Sequence, residues 1–168
     1  DVLALTPRLA AVGMHLQVHF ESSLVHTVGQ RLQASAVPVV IDHMGRVAAR
    51  LGADHADFHG LQQLLAGNPQ FYVKVSGIDR IDSRPPYLHG NPLARQLVER
   101  FPPQCLGGTD WPDPNHTHIP DDGQLVDAHR RGERGDRGRT EAVDGVLQHD
   151  GADRDHRHLE AHGQAWSH

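Results

Sequence analysis

Four runs of strand-forming residues alternate along this chain with helical patterns, and no hairpin signal joins one run to the next. That alternation points to a parallel α/β sheet. His15 to Phe20 alternates strictly, with Leu16, Val18 and Phe20 on one face and His15, Gln17 and His19 on the other. Val37 to Ile41 is almost continuously apolar, as expected of a parallel strand covered on both faces. The third run is Phe71 to Ser76 and the fourth ends at Thr109, so strands are expected near 15–20, 37–42, 71–76 and 104–109. Between them, Val2, Leu5, Leu9 and Val12 recur at helical spacing before Gly13. Ser22 reads as the cap of a helix to about Ala34, with Leu24, Val25, Val28 and Leu32 as its apolar stripe. Phe58, Leu61, Leu64 and Leu65 mark another helix, stopped at Gly67-Asn68-Pro69. A Pro-rich connection from Ser83 to Gly90 leads to the last, from about Asn91 to Arg100.

The polar residues separate two folds that share this pattern. Three strands in series end in chemically useful groups beside a glycine: Asp42-His43-Met44-Gly45-Arg46, Ser76-Gly77-Ile78-Asp79-Arg80, and Gly107-Gly108-Thr109-Asp110-Trp111-Pro112. A doubly wound sheet gathers its site at one switch point, commonly with a glycine-rich phosphate loop, and neither G-x-G-x-x-G nor a Walker loop is present. A (β/α)8 barrel assembles its site from the C-terminal ends of many strands. Four βα units cannot close a barrel that needs about 250 residues. The fold class expected is therefore α/β, the C-terminal half of a (β/α)8 TIM barrel over 1–127, followed by an irregular tail over 128–168.

Length and charge narrow the function classes. At 168 residues, 38% of them hydrophobic, the chain can bury a core. A net charge of -5 argues against nucleic acid or an anionic membrane as partner. The single cysteine, Cys105, excludes an intrachain disulfide and suits a reducing compartment. No basic segment precedes an apolar one at the start, and no apolar run is long enough to span a bilayer, so a cytoplasmic protein is expected. The chain begins at Asp1 inside a helical pattern, and an upstream portion is expected, which would leave the first strand with an uncovered edge open to self-association.

The runs Val39 to Arg46, Val73 to Arg80 and Gly108 to Asn115, in that order, resemble the amidohydrolase-related TIM-barrel hydrolases, and within them the group of 2-pyrone-4,6-dicarboxylate lactonases and sulfomuconolactone hydrolases. The resemblance covers roughly Asp1 to Asp127. It implies a barrel in which activated water attacks the carbonyl of a small carboxylated lactone, with either no cofactor or one divalent metal, zinc first. By position it assigns His43 and Asp110 as catalytic residues and as the candidate metal ligands, and Arg80 as the group that binds a substrate carboxylate. The family's first-strand His-x-His pair is absent, and the spacing of His15 and His19 does not replace it. The family commonly shows a His where Asp113 stands and a large residue where Gly107 stands.

The chemistry is intelligible from the residue types. Hydrolysis of a lactone needs a base for water, donors for the developing oxyanion and, for a dicarboxylate, a cation at fixed geometry. Asp110 offers the base or a metal ligand, His43 a carbonyl donor or a metal ligand, and Arg80 a planar fork for a carboxylate. His19 shares a face with His15 and Gln17 and is expected at the pocket mouth as a substrate contact. Lys74 and Ser76 share a strand face, so either lining the interior or packing is open to them. Plainer readings stand beside these: His43 as a cap next to Asp42, Arg80 paired with Asp79 or Asp82, Asp110 bound to loop amides.

From about Ala128 the composition changes to Arg, Gly, His, Asp and Glu, with no helical or strand period. Its six histidines offer metal ligands, but its arginines alternate with acids and lack interleaved aromatics, against nucleic-acid binding. A one-base frameshift of a terminal helix fits the tail better. Two functional readings follow: a lactone hydrolase, or a non-catalytic barrel fragment limited to anion binding or self-association.

Overall fold

The structure, a computed structural model, describes residues 2–83 and 85–108. Thr109, Asp110 and the tail over 128–168 lie outside the described residues.

Strands β1 (Leu16–Val18), β2 (Val39–Ile41), β3 (Phe71–Val75) and β4 (Cys105–Gly107) form one sheet in the order β1-β2-β3-β4, every neighbour parallel. The register pairs Leu16 with Val39, Val39 with Phe71, and Val73 with Cys105. Strand order equal to chain order, with every crossover helical, is the topology of a barrel segment. The strands are shorter than their β-forming runs. Around Leu16–Val18 the flanking His15 and His19 leave the ladder, and His19 turns to a ring contact instead.

Helices α1 (Thr6–Ala11), α2 (Val28–Leu32), α3 (Ala56–Gly67), α4 (Ile78–Ile81) and α5 (Gly90–Arg100) complete the described elements with short 3-10 turns. The core joins one sheet face to these helices: Val39, Ile41, Phe71, Val73, Val75 and Cys105 meet Val25, Leu32, Phe58, Leu61, Leu64, Leu65, Leu93 and Leu97. Fully burying each large side chain stabilises the fold by about 1.5–3 kcal/mol.

The expected helix from Ser22 is broken. A 3-10 turn, Ser22–His26, ends at Thr27 (φ -121°, ψ -64°) before α2 begins. Ser22 does not cap it; its hydroxyl donates to Asp57 Oδ2 at 2.6 Å, tying the turn to α3. The four-residue stripe is halved as a result, with Val25 and Leu32 buried and Leu24 and Val28 exposed. Gly29 replaces them in the contact, since a Cβ there would lie 3.1 Å from Leu64.

Two side chains hold the strand-bearing loops in place. Gln104 Nε2 donates to the carbonyls of Leu65, Asn68 and Phe71, fixing the entry to β4 against the exit of α3. Asp82 Oδ2 accepts from the backbone N–H groups of His89 and Gly90 at 2.8 and 3.1 Å, closing the Pro-rich connection and starting α5. None of the helices in the described residues is long and apolar enough to cross a membrane.

Candidate functional site

The chain leaves β2 through an unusual turn. Asp42 is still extended, but His43, Met44, Gly45 and Arg46 have φ of 51°, 51°, 66° and 52°. Left-handed backbone costs a residue with a side chain roughly 1–2 kcal/mol, so three such residues within four positions, His43, Met44 and Arg46, must be held by their surroundings. Met44 is fully buried, the Gly45 N–H donates to Asp42 O at 2.9 Å, and Gly45 lies beside Leu61 of α3, 3.4 Å from where its Cβ would stand. The turn folds the His43 imidazole back over the end of the sheet, where it is 5% exposed.

The end of β3 receives that ring. His43 Nδ1 and Ser76 Oγ are 3.1 Å apart. The next residue, Gly77, has φ +57°, and a Cβ there would come within 2.6 Å of His43 Nδ1. Only glycine satisfies both the left-handed backbone and the space taken by the imidazole. From the end of β1, the His19 ring meets His43 edge to face with centroids 5.1 Å apart. Arg46 Nη1 lies 3.3 Å from His19 Nε2 and donates to Glu21 at 2.7 Å, bracing the exposed histidine.

Beneath these rings, the sheet face turned away from the core is polar. Gln17 Nε2 donates to Asp42 Oδ2 at 3.0 Å, Lys74 Nζ donates to Gln17 Oε1 at 3.2 Å, and Lys74 Nζ stands 3.8 Å from Asp42 Oδ1. Asp42 is 8% exposed, and its Oδ1 has no hydrogen-bond partner. Donor atoms of His19, Asp42 and His43 all lie within 4.8 Å of one another, the one such grouping among the described residues. Two imidazoles and a carboxylate are ordinary zinc ligands, and a buried, unpartnered carboxylate oxygen beside them fits a cation.

His43 and His19 are thus brought together. Arg80 lies on α4, after β3, at the same end of the sheet, half-buried, with its Cδ packed against Gly77. Asp110, expected two residues beyond Gly108, lies outside the described residues. Of the two side chains left open along this strand run, Ser76, just after β3, reaches His43, and Lys74 on β3 reaches Gln17. Sequence reasoning passed over Asp42, Gln17 and Gly77 as parts of the site. Strand alternation carried the signal for the first two, since Gln17 pairs in register with Val40, two residues before Asp42. Gly77 was noticed only as a neighbour of Ser76.

The sequence profile of the Amidohydrolase family matches residues 4–136. A 4-sulfomuconolactone hydrolase of Hydrogenophaga intermedia is 38% identical over 115 residues, covering 66% of this chain and 38% of that protein. A 2-pyrone-4,6-dicarboxylate hydrolase of Comamonas testosteroni is 34% identical over 137 residues, covering 76% of this chain and 45% of that protein. The chain therefore spans less than half the length of these two relatives. A crystal structure from Pseudomonas putida, described as a candidate 2-pyrone-4,6-dicarboxylic acid hydrolase, superposes with a TM-score of 0.65 at 28% identity, over 77% of this chain and 48% of that one. A zinc-bound amidohydrolase from Burkholderia multivorans shares the fold at 17% identity, with a TM-score of 0.62 over 84% of this chain and 52% of that one. The four parallel strands and their helices are a partial (β/α)8 barrel.

Proposed function

From the amidohydrolase family, to which this chain belongs, we infer that its strand ends serve the hydrolysis of a small carboxylated lactone by water. The observation that carries this reading is the His43 clamp. A buried imidazole, folded back by a left-handed turn, is pinned by Ser76 and given room by Gly77 at the C-terminal end of a parallel sheet. Its relatives from Hydrogenophaga and Comamonas carry the names of lactone and pyrone-dicarboxylate hydrolases.

With the Ser76 hydroxyl donating to Nδ1, the proton of a neutral His43 sits on Nε2, where it donates to the substrate carbonyl oxygen as negative charge develops there. Asp110 accepts a proton from water, the water oxygen adds to the carbonyl carbon, and the ring C–O bond breaks as its oxygen takes the proton back. Arg80 holds a substrate carboxylate in its fork, and His19 closes the side of the pocket next to β1. Zinc, held by His43 with Asp110 or with His19 and Asp42, would supply Lewis-acid polarisation of the carbonyl.

The reaction is proposed for a complete barrel. The test is a hybrid in which this chain follows the N-terminal half of the Hydrogenophaga relative, assayed on 4-sulfomuconolactone and 2-pyrone-4,6-dicarboxylate with and without a chelator. Asp110→Asn in that hybrid is expected to lower kcat by about 100-fold or more. Arg80→Lys is expected to raise KM more than it lowers kcat. Full activity in Asp110→Asn removes the mechanism. The 168-residue chain alone is expected to show no turnover, because Gln17 and His19 stand exposed to water, which weakens every contact meant for the oxyanion. Turnover by the isolated chain would contradict that expectation, and an inactive hybrid, rather than an inactive isolated chain, would favour the reading as a non-catalytic fragment.

A further inference from the structure

We propose that Lys74 is a tethered cation which holds the Asp42 carboxylate and so weakens zinc binding by His19, Asp42 and His43. Lys74 is the only lysine in the sequence; the other 15 of the 16 Lys and Arg residues are arginines. It stands on the polar face of β3, its side chain 27% exposed, with Nζ 3.2 Å from Gln17 Oε1 and 3.8 Å from Asp42 Oδ1.

Asp42 defines what this corner needs. Oδ2 accepts from Gln17, but the buried Oδ1 accepts from nothing. A buried anionic oxygen without a donor is costly, and a nearby positive charge relieves it. Two cations can do so. One is the Lys74 ammonium, which needs to close less than about 1 Å to reach hydrogen-bond distance. The other is a divalent ion shared with the two imidazoles, whose nitrogens are within 4.8 Å of the carboxylate. The two exclude each other, since like charges a few ångströms apart in a partly buried site repel strongly.

The proposal rests on the reading of this sheet end as the family's site, but its test reads metal binding, not turnover. Zinc is titrated into the full 168-residue chain by calorimetry, with cobalt absorption as a second readout. The six tail histidines offer further ligands, so the site is assigned by difference between variants. Lys74→Met and Lys74→Gln are expected to gain one zinc equivalent bound at least about tenfold more tightly than in the unsubstituted chain. Lys74→Arg keeps the charge and should stay within about threefold of the unsubstituted chain. Adding Asp42→Asn to Lys74→Met should abolish the gain. Acetylation of the unsubstituted protein neutralises Lys74 without any substitution and should reproduce the gain, while leaving zinc binding by Lys74→Met unchanged. This arm holds even where a variant fails to fold. Equal affinities across the neutral variants and the acetylated chain would overturn the proposal, as would a gain that survives Asp42→Asn. Inactivity of the hybrid barrel, by contrast, leaves this result untouched and counts against the hydrolase reading alone.

Discussion

The two faces of the sheet are built from the same four strands and divide the labour of the molecule between them. On one face Val39, Ile41, Phe71, Val73, Val75 and Cys105 are buried against helices. On the other, Gln17, Asp42, Lys74 and Ser76 contact one another or His43. Adjacent residues of β3 belong to different faces, so Val73 carries packing while Lys74 carries charge. The difference teaches that a substitution's effect here is set by the parity of its position. Odd positions of β3 should be felt as stability and even ones as binding.

The largest expected effect breaks the packed face. Phe71→Ala removes a fully buried ring from the core cluster that includes Leu64 and Leu65 and should cost about 3–5 kcal/mol in urea unfolding. Tyr72→Ala, one residue on, should cost less than half as much because its ring is only half-buried on the polar face. Equal losses at the two positions would dissolve the distinction between the faces.

Gly77→Ala comes next, where both faces meet. The new Cβ would strain a left-handed residue and press on His43 Nδ1 at 2.6 Å and Cγ at 3.0 Å. We expect a loss of about 2–3 kcal/mol, with the His43 imidazole resonances shifted in NMR spectra. A stable Gly77→Ala protein with unshifted His43 would show that the clamp is slack.

The strand order, the parallel sheet and the helices α3 and α5 were legible from the sequence, because period and stop signals agree there: Phe58, Leu61, Leu64 and Leu65 end at Gly67 as expected. The helix after Ser22 was not. Its apolar stripe is genuine, but a hydroxyl partner 35 residues away drew Ser22 off the cap, and local pattern holds no record of a distant carboxylate. Motif order points to His43 and Arg80 as residues that follow strand ends. The turn that folds the His43 ring back was not legible, since it depends on positive φ values at His43, Met44 and Arg46, on either side of Gly45, that no residue preference announces. Asp42 was read as a neighbour of His43, and only its distances to Gln17 and Lys74 show it as the anionic centre of the polar face.

The helical side carries one polar knot that sharpens the comparison. Asp57 accepts from Ser22 Oγ at 2.6 Å and pairs with His26 Nε2 at 3.0 Å, tying the Ser22–His26 turn to α3. The Ser22 hydrogen bond first, and then His26, hold its carboxyl below the usual value of 3.8 despite an opposing desolvation. A depressed folded pKa means that this contribution is complete above the unfolded value and is lost as pH falls through the folded one. Asp57→Asn should therefore lose about 1 kcal/mol near neutral pH, with the gap from the unsubstituted protein closing in acid below about pH 4. A gap that widened on acidification would reverse the assignment.

The smallest effect on stability, and the most direct comparison of the faces, uses the chain's two chemically unique side chains. Cys105 and Lys74 lie on neighbouring strands, in a register that pairs Cys105 with Val73, and so on opposite faces. Burial pushes the Cys105 thiol up to about 12, so at pH 8 only roughly one molecule in ten thousand carries the reactive thiolate. The same burial denies a reagent any approach, and labelling of the cysteine must wait for the sheet to open. Lys74 is reachable with the sheet closed. An amine-directed reagent should therefore modify Lys74 in the folded protein without unfolding it, while a thiol reagent modifies Cys105 only as denaturant is added, at the rate of opening. Mass spectrometry of the two adducts along a urea series reads both faces in one sample. Cys105 labelled as fast as Lys74 in the absence of urea would mean that the packed face is not closed, and the division of labour between odd and even positions of β3 would fall with it.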